Sequence, residues 1–295
     1  MTDQLNVRRR IAVTGSTGAV GGRVANALAA AGVPLRLVVR DGSRAPQLAN
    51  SEVAEATYGD ADAMRTALAG VDTLFMVSAA EAANRVLLHT TAVDAAVAAG
   101  VERVVYTSFA AAGPRATFTF GRDHWYTEQH IRRAGLTFTF LRDNMYLDML
   151  PRFVGASGVL AGPAGDGVLA GVVRDDVADV AVAVLLDQSG RDDNQTYDLT
   201  GPAAISFEEA AAAMSAVTGR PIRYHAETID EAYESRASYG RPQWEVDGWV
   251  TSYTAVAVGD LEEVSDDVPR LTGHQAISFE EYLQRHPEDW AHLTT

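Results

Sequence analysis

Three glycines in the stretch Arg10 to Gly22 have the type and spacing to hold a phosphate. Gly15, Gly18 and Gly21 fall in a turn, Thr14 to Gly21. It runs from a short apolar strand (Ile11, Ala12, Val13) into an Ala-rich helix expected over Val20 to Ala31 and ended by Gly32. A tight turn needs residues free in φ, and a pyrophosphate must approach bare backbone. A helix N-terminus adds unpaired N–H groups and a positive dipole end. Chance spacing among 25 glycines would not also supply the strand before, the helix after and a returning strand, Leu35 to Arg40, about 20 residues on. The pattern predicts a dinucleotide site built by Gly15, Ser16, Thr17, Gly18, Ala19, Val20 and Gly21. An NAD site wants a carboxylate for the ribose diol at the end of the second strand. This chain has Val38, Val39 and Arg40 there. A guanidinium suits the extra phosphate of NADP, so NADP(H) is expected rather than NAD(H). Asp41 reads as a solvated or capping turn residue.

The elements that position this turn alternate strand and helix through the first half of the chain, the signature of a parallel sheet covered on both faces. Further strands are expected at Val53 to Tyr58, Asp72 to Ser78, Glu102 to Ser108 and Leu136 to Arg142. Helices are expected at Ala61 to Ala69, Ala82 to Ala99 and Asp123 to Ala134. The fold class is α/β, a Rossmann-type doubly wound parallel sheet with a smaller C-terminal α/β substrate lobe. Ligands of such sheets lie across the carboxyl ends of the strands, which puts Ser78, Ala79, Thr107 and Ser108 on the rim of the glycine turn. Residues 1–145 form the expected dinucleotide domain, with 172–200 returning to it. Residues 146–171 and 201–295 form a smaller substrate or lid lobe. The glycine-rich stretch from Met145 to Val173 reads as an excursion covering the site. Asp175 to Leu186 reads as a helix, and Ser206 and Ser278, each three residues before a Glu, as capping boxes. Trp244, Trp249 and Tyr253 line a pocket or pack the small lobe, packing being the stronger reading.

Composition narrows the function. A net charge of −15 argues against nucleic acid or an anionic membrane as partner, while leaving room for a local phosphate site. There is no cysteine and no lysine; all 24 basic residues counted as Lys+Arg are arginine. Thiolate chemistry and an ammonium of tunable pKa are therefore closed to this protein. The opening MTDQLNVRRR has no signal-peptide core, and no apolar run reaches membrane-spanning length, so a cytoplasmic location is expected. His89, His225, His274, His286 and His292 show no pairing with carboxylates at ligand spacing, and no metal site is expected. Ser108 is not set in a hydrolase elbow.

Val104 to Leu147 resembles the NmrA-like branch of the atypical short-chain dehydrogenase/reductases, of the quinone oxidoreductase and triphenylmethane reductase type. The resemblance rests on the strand Val104 to Ser108, on His124-x-x-x-Glu128-x-x-Ile131, and on Gly135-Leu136 leading to Leu141-Arg142-x-Asn144. The stretch 194–224 resembles the same group's C-terminal lobe. The resemblance implies NADPH binding and, in members that are enzymes, hydride transfer to quinones, dyes or other conjugated small molecules. It also implies that some members bind the nucleotide and regulate partners without turnover. A homodimer is a possible assembly.

In the wider superfamily a Ser, a Tyr and a Lys four residues after it polarise a carbonyl, the lysine lowering the tyrosine pKa. With Glu128 and Gly135 as anchors, the tyrosine position falls on Phe120 and the lysine position on His124, while Ser108 survives. A phenyl ring donates no proton. His124 is the candidate for a ribose or substrate oxygen, and Glu128 one turn on is read as structural. Tyr126 and His130, at the same four-residue spacing, are a displaced acid and partner in the third reading, a ketone or imine reductase, or else an exposed or packing pair, the stronger reading because they lie six residues past Phe120 and His124. Phe109, Phe120, Asn144, Met145 and Tyr146 are the expected pocket residues. Arg142 is read either as a site residue or as a buried ion pair. Asp60 either contacts the adenine, as the resemblance implies, or lies in a solvated turn.

Overall fold

The computed structural model describes residues 9–294. The expectation that the chain's start is no secretory signal therefore lies, for residues 1–8, outside the described residues. The strands are β1 (Ile11–Thr14), β2 (Leu35–Val39), β3 (Ser51–Glu55), β4 (Thr73–Met76), β5 (Arg103–Phe109), β6 (Thr137–Asp143), β7 (Val159–Gly162), β8 (Val168–Leu169), β9 (Gln195–Leu199), β10 (Ile205–Ser206) and β11 (Arg223–Ala226). The helices are α1 (Ala19–Ala30), α2 (Ala61–Ala67), α3 (Arg85–Ala98), α4 (Thr119–Arg133), α5 (Leu150–Phe153), α6 (Arg174–Leu186), α7 (Phe207–Thr218), α8 (Ile229–Ala237), α9 (Gln243–Ala257), α10 (Asp267–Thr272) and α11 (Phe279–Arg285).

A seven-stranded sheet in the order β3-β2-β1-β4-β5-β6-β9 is parallel throughout. Each central strand is buried on both faces, which is why Ile11–Thr14 and Thr73–Met76 read as unbroken apolar runs. One face packs Val13, Phe75, Val105 and Leu141 against α1 and α6 through Val24, Leu28, Val177 and Val184. The other packs Leu74, Val104, Tyr106 and Phe140 against α2, α3 and α4 through Met64, Val93 and Ile131. The strand order reverses between β1 and β4, and Tyr58 pins that point: its hydroxyl lies 2.6 Å from both Thr14 Oγ1 and the Val77 carbonyl.

Two expectations are corrected here. β3 runs from Ser51 to Glu55, not from Val53 to Tyr58, and Tyr58 instead turns inward to the switch point. The glycine-rich excursion is no loose cover. α5, β7 and β8 place Leu150, Val154, Leu160, Ala164 and Leu169 in the core of the small lobe with Phe207, Met214, Tyr253 and Phe279. Its glycines permit close packing: a Cβ on Gly162 would fall 2.2 Å from the Tyr253 ring, and one on Gly167 2.4 Å from the Val256 carbonyl. β7 pairs in parallel with β11 and β8 antiparallel with β10, so neither strand belongs to a local hairpin. Tyr253 is thus a packing residue. No helix among the described residues is long and apolar enough to cross a membrane.

Candidate active site

At the glycine turn the chain satisfies the steric demands of a bound diphosphate. Gly15 adopts φ +62°, and a Cβ on Gly21 would sit 2.4 Å from the Gly15 carbonyl oxygen, so only glycine lets α1 start this close to β1. Gly18 caps α1 without a side chain, and no acidic residue stands in its first turn. The positive helix end is left for an external anion. Ser16 is buried, yet its Oγ has no partner among the described residues. A buried orphan hydroxyl beside an uncapped helix end fits a phosphate oxygen. Thr17 is exposed and Ala19 half-buried at the same edge, while Val20 packs beneath. Arg40 lies exposed just past β2. Asp41 caps the next turn by accepting from the Ser43 amide at 3.0 Å. Asp60 caps α2, its Oδ1 accepting from the Ala63 amide at 3.0 Å, as in the turn reading.

Along the rim, Ser78 and Ala79 are already tied down. The Ser78 amide donates to Thr107 Oγ1 at 2.8 Å and the Ala79 amide to His89 Nε2 at 2.9 Å. The His89 acceptor nitrogen fixes its tautomer: Nδ1 carries the proton and faces Thr127 Oγ1 at 2.9 Å. Tyr106 Oη lies 3.4 Å from the same nitrogen and 3.0 Å from His124 Nδ1. Arg85 Nη2 donates to His124 Nε2 at 3.1 Å, so His124 also carries its proton on Nδ1. Burial first, then the Arg85 charge, pushes both imidazoles down, His89 to about 3 and His124 well below the ordinary value. Burial likewise raises the Tyr106 phenol.

This geometry corrects the reading of His124. The ring is 5% exposed and protein groups take both nitrogens, leaving neither free for a ribose or substrate oxygen. Ser108 is also engaged, donating to Glu128 Oε1 at 2.6 Å. Fully buried Glu128 accepts from Arg142 Nε at 2.9 Å and Nη2 at 2.8 Å, so Arg142 is the buried ion pair of the two readings. The displaced-acid alternative for Tyr126 and His130 fails on the same geometry. α4 starts at Thr119 and buries Phe120, His124, Thr127, Glu128 and Ile131. Tyr126 lies on the opposite face, 46% exposed, and His130 is paired with Asp94 of α3 at 2.7 Å. Side chains turned away from the sheet cannot serve its rim.

The pocket residues divide. Phe109 and Phe120 belong to an aromatic row: Phe109–Phe118, Phe118–Phe120 and Phe120–Trp244 have ring centroids 4.9, 5.5 and 5.9 Å apart. A Cβ on Gly248 of α9 would meet the Phe120 ring at 2.2 Å, so a bare helix face receives it. Asn144 is no pocket floor: its Nδ2 donates to the Leu261 carbonyl at 3.0 Å and its Oδ1 accepts from the Met145 amide at 2.7 Å. Met145 packs on the small-lobe core. Tyr146 donates to Asp143 Oδ2 at 2.6 Å. Asp143, buried among no paired cation, is pushed up to about 8 by desolvation. Sequence reading passed over Asp143, Arg85 and Tyr106 and considered His89 only as a metal ligand, because their burial gives no local signal in the chain. Two of the histidines expected to show no carboxylate pairing at ligand spacing do lie beside carboxylates in the fold. His274 lies with Asp176 and Asp179, and His286 with Glu288 and Asp289. Their visible contacts are ion pairs, His274 Nε2 to Asp179 at 3.2 Å and His286 Nε2 to Asp175 at 3.3 Å, joining α6 to the C-terminal segment.

Residues 8–240 match the NmrA-like family. The chain belongs to it. The NmrA-like chain is 32% identical to an NAD(P)H azoreductase of Xenophilus azovorans over 282 residues, covering 94% of this chain and 97% of the relative. It superposes with TM-score 0.85 on the NADPH complex of Escherichia coli quinone oxidoreductase 2, at 28% identity and covering 93% and 99% of the two chains. On the NADP(H) complex of Citrobacter sp. triphenylmethane reductase the TM-score is 0.83, at 29% identity and the same coverage. This NmrA-like protein is an oxidoreductase by that kinship.

Proposed function

We propose that this NmrA-like oxidoreductase takes NADPH as reductant and reduces a quinone-like, azo or other conjugated small molecule without a Tyr-Lys pair. The observation that carries the reading is the buried, unpartnered Ser16 hydroxyl at the uncapped start of α1. The nucleotide supplies the hydride when bound. Ser16, the glycine turn and the first amides of α1 would hold its diphosphate, and Arg40 its additional phosphate. Relatives named for azo, quinone and triphenylmethane substrates support the acceptor class. So does the aromatic row from Phe109 to Trp244, a surface suited to flat rings.

With phenylalanine at the tyrosine position and His124 sealed, no acid of the usual kind faces the acceptor. A conjugated acceptor suits such a site because its reduction gives a delocalised anion, which needs less help from an acid than an isolated ketone. Rate then comes from proximity and orientation. Phe120 and Trp244 would exclude water, while Glu128 holds Ser108 and Arg142 in place beneath. Purified protein mixed with NADPH and a panel of quinones and azo dyes tests the reading by nicotinamide absorbance. Oxidation with at least one conjugated acceptor, and none with simple ketones, is expected. Tight binding without oxidation by any acceptor would favour a nucleotide sensor that regulates a partner.

A further inference from the structure

Asp143 ends β6, in register with Phe109 of β5 and Leu199 of β9, one strand from Ser108 at the carboxyl edge of the sheet. It is 2% exposed. Its Oδ2 accepts from Tyr146 Oη at 2.6 Å, and its Oδ1 has no partner among the described residues. A buried carboxyl usually neutralises itself with a cation or a proton. The nearby cations are committed elsewhere. Arg142 turns to Glu128 on the other face of the sheet, opposite Asp198. Arg174 is held by Asp148 and lies 5.9 Å over the Tyr146 ring. Tyr146 is the titratable group that acts on the carboxyl, and Asp143, Asp148 and Arg174 are the charged or titratable groups that act on the Tyr146 phenol. No ion pair to Asp143 exists among the described residues, so the carboxyl keeps its proton at neutrality.

We propose that Asp143 and Tyr146 are the proton store of the site, the carboxylic acid passing its proton through the phenol to the acceptor. The proposal rests on the reductase reading above. The acceptor gains a hydride, hence two electrons and one hydrogen, and becomes an anion. The Tyr146 O–H bond then breaks as an O–H or N–H bond forms on the acceptor. Once the phenol has given up its own proton, Asp143 donates in the reverse sense across the 2.6 Å Oδ2–Oη contact, leaving a carboxylate that water reprotonates after the product departs. Tyr146 itself is pushed well above the ordinary phenol value, by burial first and Asp143 next, so a phenolate does not accumulate. The pair, at and just past the end of β6, replaces the donor lost at Phe120 of α4.

The test is Asp143→Asn and Tyr146→Phe, each assayed with NADPH and a quinone. Loss of kcat by roughly a hundred- to ten-thousandfold is expected, with NADPH affinity unchanged. Wild-type kcat falls on the alkaline side near Asp143's own value of about 8, and Asp143→Asn lacks that fall. The double variant is no slower than the slower single one. An infrared carboxylic-acid band at neutral pH, absent from Asp143→Asn, reads the store without turnover; if that variant does not fold, Tyr146→Phe reports the kinetic arm. Active wild type with an indifferent Asp143→Asn, or a carboxyl ionised at neutral pH, overturns the relay alone. Wild type that oxidises NADPH with no acceptor overturns the reductase reading, and the relay with it.

Discussion

Arg85 Nη2 lies 3.1 Å from His124 Nε2, so a cation occupies one of the two ring nitrogens through which His124 could meet a ligand. Tyr106 takes the other at 3.0 Å. A guanidinium has no lone pair to offer, which forces the imidazole to accept at Nε2 and stay neutral. His124 is therefore a buried spacer between α3, α4 and β5, and neutral-imidazole chemistry is spent on holding those elements together.

Stability should fall in acid because of this arrangement. His89 is held to about 3, and His124 well below the ordinary value, while both titrate near 6.5 once unfolded. Between those values the unfolded chain binds more protons, so stability is full above 6.5 and declines as pH drops, by up to about 1.4 kcal/mol per pH unit for each group. Asp143 acts in the opposite sense, its raised value adding stability below the unfolded carboxylate range and losing it as pH rises toward 8. Urea midpoints from pH 7 to pH 5 in wild type and His89→Gln check this. The slope should be shallower in the variant, and equal slopes would contradict it.

Glu128→Ala should destabilise by about 3–5 kcal/mol, because it strands Arg142 and leaves Ser108 without its acceptor. Ser108→Ala removes only one hydrogen bond to a charged group and should cost about 1.5–3 kcal/mol. Denaturant unfolding of both variants measures the difference. A larger effect from Ser108→Ala than from Glu128→Ala would contradict the role given to the ion pair.

Gly21→Ala and Gly18→Ala should separate cleanly. A Cβ at Gly21 meets the Gly15 carbonyl oxygen at 2.4 Å, whereas at Gly18 the nearest atom lies 3.3 Å away. The first variant must push α1 off β1 and should lose both NADPH binding and several degrees of melting temperature, while the second keeps its melting temperature. Melting curves with and without nucleotide decide it.

The sequence made the nucleotide half of the site legible because its demands are local: Gly15, Gly18 and Gly21 answer to steric contacts within one turn. The parallel sheet was legible for the same reason, through buried runs such as Thr73–Met76. What escaped depends on burial across distant segments. Nothing around Asp143 in the chain announces that its carboxyl has no ion-pair partner among the described residues, or that Arg85 reaches His124, 39 residues on. For Tyr126 the four-residue spacing to His130 fixes a helix face without saying which face is inward, and the six-residue offset from Phe120 is the signal that it turns away. Asn144 misled because a residue at the strand end reads as a rim residue, whereas its side chain bonds back to Leu261, 117 residues away.

Arg40→Ala should weaken NADPH by about ten- to a hundredfold and NADH hardly at all, since only the former carries a phosphate for the guanidinium. Calorimetric titration of both nucleotides gives the ratio. Equal losses would show that Arg40 does not select the cofactor.

The central claim is that a reduced nicotinamide nucleotide on the glycine turn passes its hydride to a conjugated acceptor without the usual phenol. Stopped-flow mixing of the NADPH-loaded protein with a quinone, using nucleotide with and without deuterium at the transferred position, tests it most directly. One NADPH consumed per acceptor, slowed by the deuterium and unchanged in Tyr126→Phe, is the predicted result. Tight NADPH binding with no consumption against any quinone or azo dye would contradict it.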